Sequence, residues 1–228
     1  VGTIEANVLG LKNVLAYAAH SGVKRVIYVS SGEVYGEMPP AIEEFEELMA
    51  GQGLISLFSS RSAYPESKRM AEVLCSAYIS QHDSDIVIVR PSHTYGPNQT
   101  ASDSRAHAQF LRSAAAKEDI VMKSAGTQVR SYTYVADAAS GILTCLLCGV
   151  NGKAYNIANP GATCSIAEFA DMCASAGGVK VVRKDEDKSL PGSPISHQVL
   201  NANMLESLGW RGLYDCKQGI STSVQALK

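Results

Sequence analysis

The chain lacks an excess of charge of either sign: 20 Lys and Arg face 22 Asp and Glu, a formal net charge of −2 over 228 residues. With the signs interspersed there is no basic stripe, so neither nucleic acid nor an anionic membrane surface is an expected partner. No apolar run reaches the roughly 18 residues of a membrane span, and no charged-then-apolar signal segment opens the sequence. The expectation is a cytoplasmic protein acting on small molecules. No internal repeat or low-complexity tract occurs. The six cysteines lie mostly inside apolar runs, which fits reduced, buried thiols better than a disulfide framework. Cys145 and Cys148 form a CxxC with no second pair or histidine cluster beside it, so no metal site is expected. Also missing is a Gly-rich strand-to-helix turn of the GxxGxxG kind with an acidic residue some ~20 positions beyond it, so an adenosine and pyrophosphate site is not encoded here. The first residue is Val1 and helical periodicity begins at once. A preceding segment is therefore expected.

What is present is an ordinary globular composition, 46% hydrophobic and 18% charged, arranged as alternating helical and strand-like runs. Val8, Leu11, Val14, Leu15 and Ala18 recur at three and four, predicting an amphipathic helix over residues 4–19 that closes near Gly22. The apolar runs 26–29 and 86–89 read as parallel strands buried on both faces. Between them, residues 37–60 form a long connection whose glutamates read as a solvated face, followed by a helix from Tyr64 to about Gln81. Helices are expected over residues 106–116, 137–148 and 165–176, the last with Ser165 as N-cap and Glu168 three later. Strands are expected at 120–122 and 154–158, and an extended segment follows the turn at Gly126. A charged stretch over 183–188, a Pro/Gly/Ser loop and a short helix precede Leu208-Gly209-Trp210. Strand, helix, strand alternation implies right-handed parallel crossovers, an α/β fold.

The densest chemistry lies in residues 61–72, where Tyr64 and Lys68 stand four apart on a helix, hence on one face. Pro65 suits a first helical turn, where its missing N–H costs nothing. A fixed cation beside a phenol favours the phenolate, so Tyr64 is suited to exchange a proton with a substrate hydroxyl. Ser30-Ser31-Gly32-Glu33 falls at the carboxyl end of the first strand, where ligands bind in open α/β sheets.

Taken in order, Asn7-Val8-Leu9-Gly10, residues 30–36 (SSGEVYG), Tyr64-Pro65-Glu66-Ser67-Lys68, Arg90-Pro91 with Tyr95-Gly96-Pro97, residues 126–130 (GTQVR) and Leu208-Gly209-Trp210 resemble the successive motifs of the extended short-chain dehydrogenase/reductases. More narrowly they resemble the NAD-dependent nucleotide-sugar epimerase/dehydratase family. The resemblance implies the C-terminal part of a Rossmann-type doubly wound parallel sheet plus a smaller mixed α/β substrate domain. Residues 1–95 would form a partial NAD-binding domain and residues 96–228 mainly the substrate domain, with some segments returning to the sheet. It implies that Tyr64 is the acid/base, Lys68 the cation that favours its phenolate and holds the nicotinamide ribose, Ser31 the hydroxyl on the reacting sugar oxygen, and Asn7 the residue completing the tetrad. Pro91 and Ser92 would line the cofactor, while His93 and Arg130 would meet the nucleotide sugar, Arg130 through its forked charge on the diphosphate. NAD is the implied cofactor, and a homodimer packed through the helices near Ile4 and after Tyr64 the implied assembly.

Glu33 narrows this further. A glutamate two places after the catalytic hydroxyl is typical of the family's dehydratases and UDP-glucuronate decarboxylases, and it could move a proton at C5. Dehydratases usually place Asp where Gly32 stands, and residues 61–72 are closer to the decarboxylase version of the helix. His93 replaces a usual Asn, and residues 201–204 (NANM) replace a common Asp-x-Ser-Lys, which leaves the substrate open. The expected reaction is decarboxylation or dehydration through a 4-keto sugar. A 4-epimerase, a non-catalytic nucleotide-sensing protein of the same fold and a purely structural scaffold are the alternatives.

Overall fold

The computed structural model describes residues 1–100, 102–183 and 195–227. In chain order it contains α1 (Gly2–Ile4), a π-helical stretch (Glu5–Gly10), α2 (Leu11–His20), β1 (Val26–Val29), a 3₁₀ turn (Gly32–Tyr35), a second 3₁₀ turn (Glu47–Met49), α3 (Ala63–His82), β2 (Ile86–Pro91), β3 (His93–Tyr95), α4 (Ala106–Ala115), β4 (Ile120–Met122) and β5 (Val129–Tyr134). There follow α5 (Val135–Cys148), β6 (Ala154–Ile157), a 3₁₀ turn (Pro160–Ala162), β7 (Thr163–Ser165), α6 (Ile166–Gly177), β8 (Val181–Arg183), β9 (His197–Gln198), α7 (Asn203–Ser207) and α8 (Cys216–Ala226). The expected charged stretch and Pro/Gly/Ser loop fall, from residue 184 to 194, outside the described residues.

Two units divide the chain, the first comprising Val1–Ser92, Ala139–Ile157 and Leu200–Trp210 and the second the remainder. The first is built on a parallel sheet of order β1-β2-β6. Its central strand is apolar on both faces because both are covered: Ile86, Val87, Ile88 and Val89 are all buried. Each such side chain contributes about 1.5–3 kcal/mol. β1 departs from the expectation of burial on both faces, since Val29 remains 44% exposed. Its position at the end of the strand order goes with this, since among the described residues only β2 pairs with it. Leu15, Ala71 and Cys75 from α2 and α3 pack on Tyr28, Ile86 and Ile88. Val14, expected on the buried stripe of its helix, is instead 56% exposed.

The second unit holds β3, β5, β7 and β9 in one sheet, with β5 pairing parallel to β3 and β9 and antiparallel to β7. Its core is aromatic: Tyr95, Tyr132 and Phe169 meet with ring centroids 5.2 Å (Tyr95–Phe169) and 4.4 Å (Tyr132–Phe169) apart. Gly219 of α8 makes this packing possible, because a Cβ there would lie 2.2 Å from the Tyr95 hydroxyl oxygen. Ser165 and Glu168 form the expected capping box at α6. A second box, Asp215 with Gln218, starts α8, a helix that the sequence pattern did not single out.

Asp137, in the first turn of α5, is 1% exposed. It accepts the backbone N–H groups of Leu213 and Tyr214 at 3.0–3.1 Å and the Asn159 side-chain amide at 3.1 Å. Removing that carboxylate strands three buried or half-buried donors. Asp137→Ala should therefore cost about 3 kcal/mol in urea unfolding, whereas Asp137→Asn, which keeps one acceptor, should cost less.

Candidate functional site

Seven of the residues singled out by sequence, Asn7, Ser31, Glu33, Tyr64, Lys68, Pro91 and Ser92, fall in the first unit, most of them around the carboxyl ends of β1 and β2. Beyond Val29 the chain turns at Ser31, whose extended backbone caps the 3₁₀ turn Gly32–Tyr35 and whose hydroxyl accepts the Glu33 N–H at 3.2 Å. Gly36 ends that turn at φ +70°, and a Cβ there would sit 2.8 Å from the carbonyl oxygens of Gly53 and Leu54. Glu33 faces Arg61 at a long 3.9 Å, with both side chains in solvent contact. Gly32 is closed in, since a Cβ would meet Leu200 at 3.1 Å and the Pro91 carbonyl at 3.4 Å. A side chain at that position asks the end of Leu200 to give by a few tenths of an ångström.

Tyr64 is the second residue of α3, and Pro65 follows within the first turn, where amides lack helical partners anyway. Tyr64 is 39% exposed. Lys68 reaches from α3 to donate to the Val29 carbonyl at 2.8 Å, its ammonium 5.1 Å from the Tyr28 ring centroid and 5.9 Å from that of Tyr64. Burial lowers the Lys68 pKa, and the nearby Glu72 carboxylate opposes that shift. Asn7, in the π-helical stretch, donates to the Ser67 hydroxyl at 2.9 Å, which in turn donates to the Tyr64 carbonyl at 2.9 Å. Asn7 thereby braces the turn that carries Tyr64. Pro91 ends β2, and the N–H of Ser92 donates to the Ile157 carbonyl at 3.0 Å.

Beneath these residues lies a buried network that the sequence reading missed. Arg90 and Glu72 form a two-pronged pair at 3.0 and 2.7 Å. Glu72 also accepts the Ser30 hydroxyl at 2.6 Å, and Arg90 donates to the Tyr35 hydroxyl at 3.1 Å and to the Glu47 carbonyl at 2.7 Å. Tyr35 donates to the Asn156 side-chain oxygen at 2.6 Å. Glu47, read as part of a solvated acidic face, is instead 8% exposed and accepts the Asn156 N–H at 2.9 Å. That hydrogen bond is why it, unlike Glu43, Glu44 and Glu46, is turned inward. Burial raises the Glu47 pKa and pushes the Tyr35 phenol up to about 12. Burial acts to lower the Arg90 pKa, but Glu72 and Tyr35 together hold it above its ordinary value. A signal was available: Arg90 closes an otherwise apolar strand, and Glu72 stands one helical turn beyond Lys68.

His93 and Arg130 belong to the second unit, on the paired strands β3 and β5. Arg130 is 4% exposed and donates to the carbonyls of Val129 and Ile195, so it is not a surface arginine. His93 lies 5.8 Å from the Tyr132 ring and 6.4 Å from His107, which sequence reasoning passed over inside the apolar pattern of α4. Burial pushes His93 down to about 3, with Arg130, His107 and Arg105 adding to the effect; burial, then Arg105, pushes His107 down to about 4.

Residues 1–158 match the model of the NAD dependent epimerase/dehydratase family. The chain belongs to that family. It is 32% identical over 220 residues to UDP-glucuronic acid decarboxylase 3 of Arabidopsis thaliana, covering 96% of this chain and 62% of the relative. Among solved structures, the UDP-glucose 4-epimerase of Thermotoga maritima with UDP-glucose aligns at a TM-score of 0.84 and 21% identity, over 98% of this chain and 69% of that one. The UDP-glucose 4-epimerase of Thermus thermophilus in complex with NAD aligns at a TM-score of 0.81 and 25% identity, over 98% of this chain and 70% of that one. The doubly wound α/β fold anticipated from the motifs is the fold of these proteins. The chain spans about 62% of the length of the curated decarboxylase it matches. No helix among the described residues is long and apolar enough to cross a membrane.

The two depressed histidines fix a pH dependence. Each is neutral in the fold, while in the unfolded chain it protonates near its ordinary value of ~6.5. The unfolded state therefore binds more protons as the solution is acidified, and the stabilisation present above pH ~6.5 is lost on the way down to about pH 4 for His107 and about pH 3 for His93. The expected slope is up to about 1.4 kcal/mol per pH unit per histidine. Denaturant melts of the second unit's signals at a series of pH values check it, and His107→Gln should remove one histidine's share.

Proposed function

We propose that this family member acts, in its intact form, on a nucleotide sugar through a 4-keto intermediate, with decarboxylation of a UDP-uronate as the reaction. The observation that carries the reading is the Lys68 ammonium, held on the Val29 carbonyl beside the Tyr64 ring at the carboxyl end of β1. A half-exposed phenol over a fixed cation is the arrangement that proton removal from a sugar hydroxyl requires.

NAD fits the residues at this sheet end: Lys68 has two further N–H donors for a ribose beside its bond to Val29, and Ser31, Tyr64, Pro91 and Ser92 surround the same strand ends. When bound, NAD supplies the redox step by accepting and returning a hydride. Within the chain's own chemistry, Tyr64 removes the proton of the 4-hydroxyl and Ser31 donates a hydrogen bond to the same oxygen. Lys68 places its ammonium 5.9 Å from the centre of the Tyr64 ring. The resulting ketone lies β to the C6 carboxylate, so the C5–C6 bond breaks with its electron pair delocalised into the ketone, carbon dioxide leaves and Glu33 delivers a proton to C5. Gly32, where dehydratases usually carry an Asp, favours decarboxylation over dehydration.

A homodimer is part of the same proposal. Leu9, Val14 and Tyr17, and Met70 and Val73 of α3, are exposed by 55–72% and would be covered by their copies. Sedimentation should give twice the chain mass, and Val14→Lys with Val73→Lys should halve it.

The deciding experiment offers UDP-, CDP-, GDP- and dTDP-sugars to the protein with NAD and follows products by NMR and mass spectrometry. Loss of carbon dioxide from a UDP-uronate is expected. Loss of water would replace decarboxylase by dehydratase, and inverted C4 at unchanged mass would replace it by epimerase. No reaction with any sugar, with NAD and nucleotide still bound, overturns the catalytic reading. Tyr64→Phe should lower turnover by roughly 10²–10⁴-fold with little change in the unfolding midpoint.

A further inference from the structure

We infer that the buried Arg90–Glu72 pair, acting through the hydroxyls of Ser30 and Tyr35, is the device that positions Ser31 and Glu33 against Tyr64 and Lys68. None of its members touches the reacting atoms; they are positioning residues, and the inference rests on the catalytic reading above. The segment that carries Ser31 and Glu33 is short and irregular, a 3₁₀ turn whose Val34 carbonyl accepts the Arg69 side chain of α3 at 2.8 Å and the Gly51 N–H at 3.2 Å. Its internal bonds are long: Val34 N–H to the Ser31 carbonyl at 3.2 Å, Gly36 N–H to the Glu33 carbonyl at 3.1 Å and Glu33 N–H to the Ser31 hydroxyl at 3.2 Å. Bonds of that length do not by themselves fix two side chains to within the fraction of an ångström that proton transfer demands.

Arg69 holds the middle of the turn, and its two ends are held separately. At the leading end the Ser30 hydroxyl is 2.6 Å from a Glu72 carboxylate oxygen, a charge-assisted bond and among the shortest in the unit. At the trailing end the Tyr35 hydroxyl is held on both sides, accepting from Arg90 at 3.1 Å and donating to Asn156 at 2.6 Å. Glu72 and Arg90 are themselves locked by their two-pronged contact and by the Glu47 carbonyl. Glu72 sits on α3 one turn after Lys68, and two turns after Tyr64, so the helix that bears the phenol and the ammonium also bears the anchor of the serine loop. The ion pair at the two ends, with Arg69 on the Val34 carbonyl between them, therefore references Ser31 and Glu33 to the element that carries Tyr64 and Lys68. Removing either charge would leave the other buried and unpaired, so those variants report stability rather than position.

Ser30→Ala and Tyr35→Phe test it, each deleting a single oxygen and leaving the Arg90–Glu72 pair intact. In the protein with NAD and its nucleotide sugar, each is expected to lower kcat by about 10-fold, and the double variant by about 100-fold, while KM changes less than about twofold. A KM rise with unchanged kcat, or no kinetic effect in a wild-type protein that turns over, would overturn the positioning role and leave the catalytic proposal standing. A second readout needs no turnover: hydrogen exchange at the amides of residues 33–36 should quicken at least about 10-fold in both variants, with the amides of α3 unchanged. If exchange in that turn stays at the wild-type rate, the inference fails whatever the enzyme does. If wild-type protein has no turnover yet the turn loosens as expected, the positioning contact holds and it is the catalytic reading that fails.

Discussion

The first unit depends on the parallel pairing of β1 with β2, because parallel strands bring their carboxyl ends to the same side of a sheet. Everything chemical in that unit follows the register Val29↔Val89. It sets Ser30 and Ser31 beside Arg90 and Pro91, and α3, the connection between the two strands, returns over them with Tyr64 at its start. Lys68 then closes the arrangement by bonding the last carbonyl of β1. A single ammonium thus terminates a strand, touches two phenol rings and fixes the helix that holds one of them.

Polar burial in both units follows one rule: a charge goes inside only where several partners meet it. Arg90 has a carboxylate, a phenol and a carbonyl, and Asp137 has two backbone amides and a side-chain amide. Such groups add little to net stability compared with apolar residues of the same size, but they admit only one geometry. His93 and His107 follow the complementary route, sitting among aromatic rings in the neutral form, where desolvation costs least.

Much of this was legible in the sequence. Helices and strands with strong periodicity or continuous apolar runs were recovered nearly to the residue, as at Val26–Val29 and Ala106–Ala115. The Ser165/Glu168 box was readable because capping is local. The ordered motifs gave the family and the fold. What escaped were features made by distant partners. Glu47 looked like one more surface glutamate because Asn156 lies 109 positions away, and Arg90 looked like the end of a strand because its carboxylate is on a helix. The Asp215/Gln218 box and α8 were overlooked for a different reason, since the small residues around Gly219 and Ser223 give a weak apolar stripe although Ile220 and Val224 are fully buried. Val14 shows the converse: periodicity identifies an apolar face without saying what covers it.

β1 carries a consequence for handling the molecule. Among the described residues it is bonded on one side only, by β2, and its last residue, Val29, projects into solvent. Lys68 holds the Val29 carbonyl, but the side of an apolar strand that has no strand partner is a template for strand addition, which natural sheets blunt with charge, proline or a covering element. None of the four residues of this strand, Val26-Ile27-Tyr28-Val29, is charged or proline. The open side of β1 is therefore where a further strand can pair, and apolar side chains rather than charges are what such a strand would meet there.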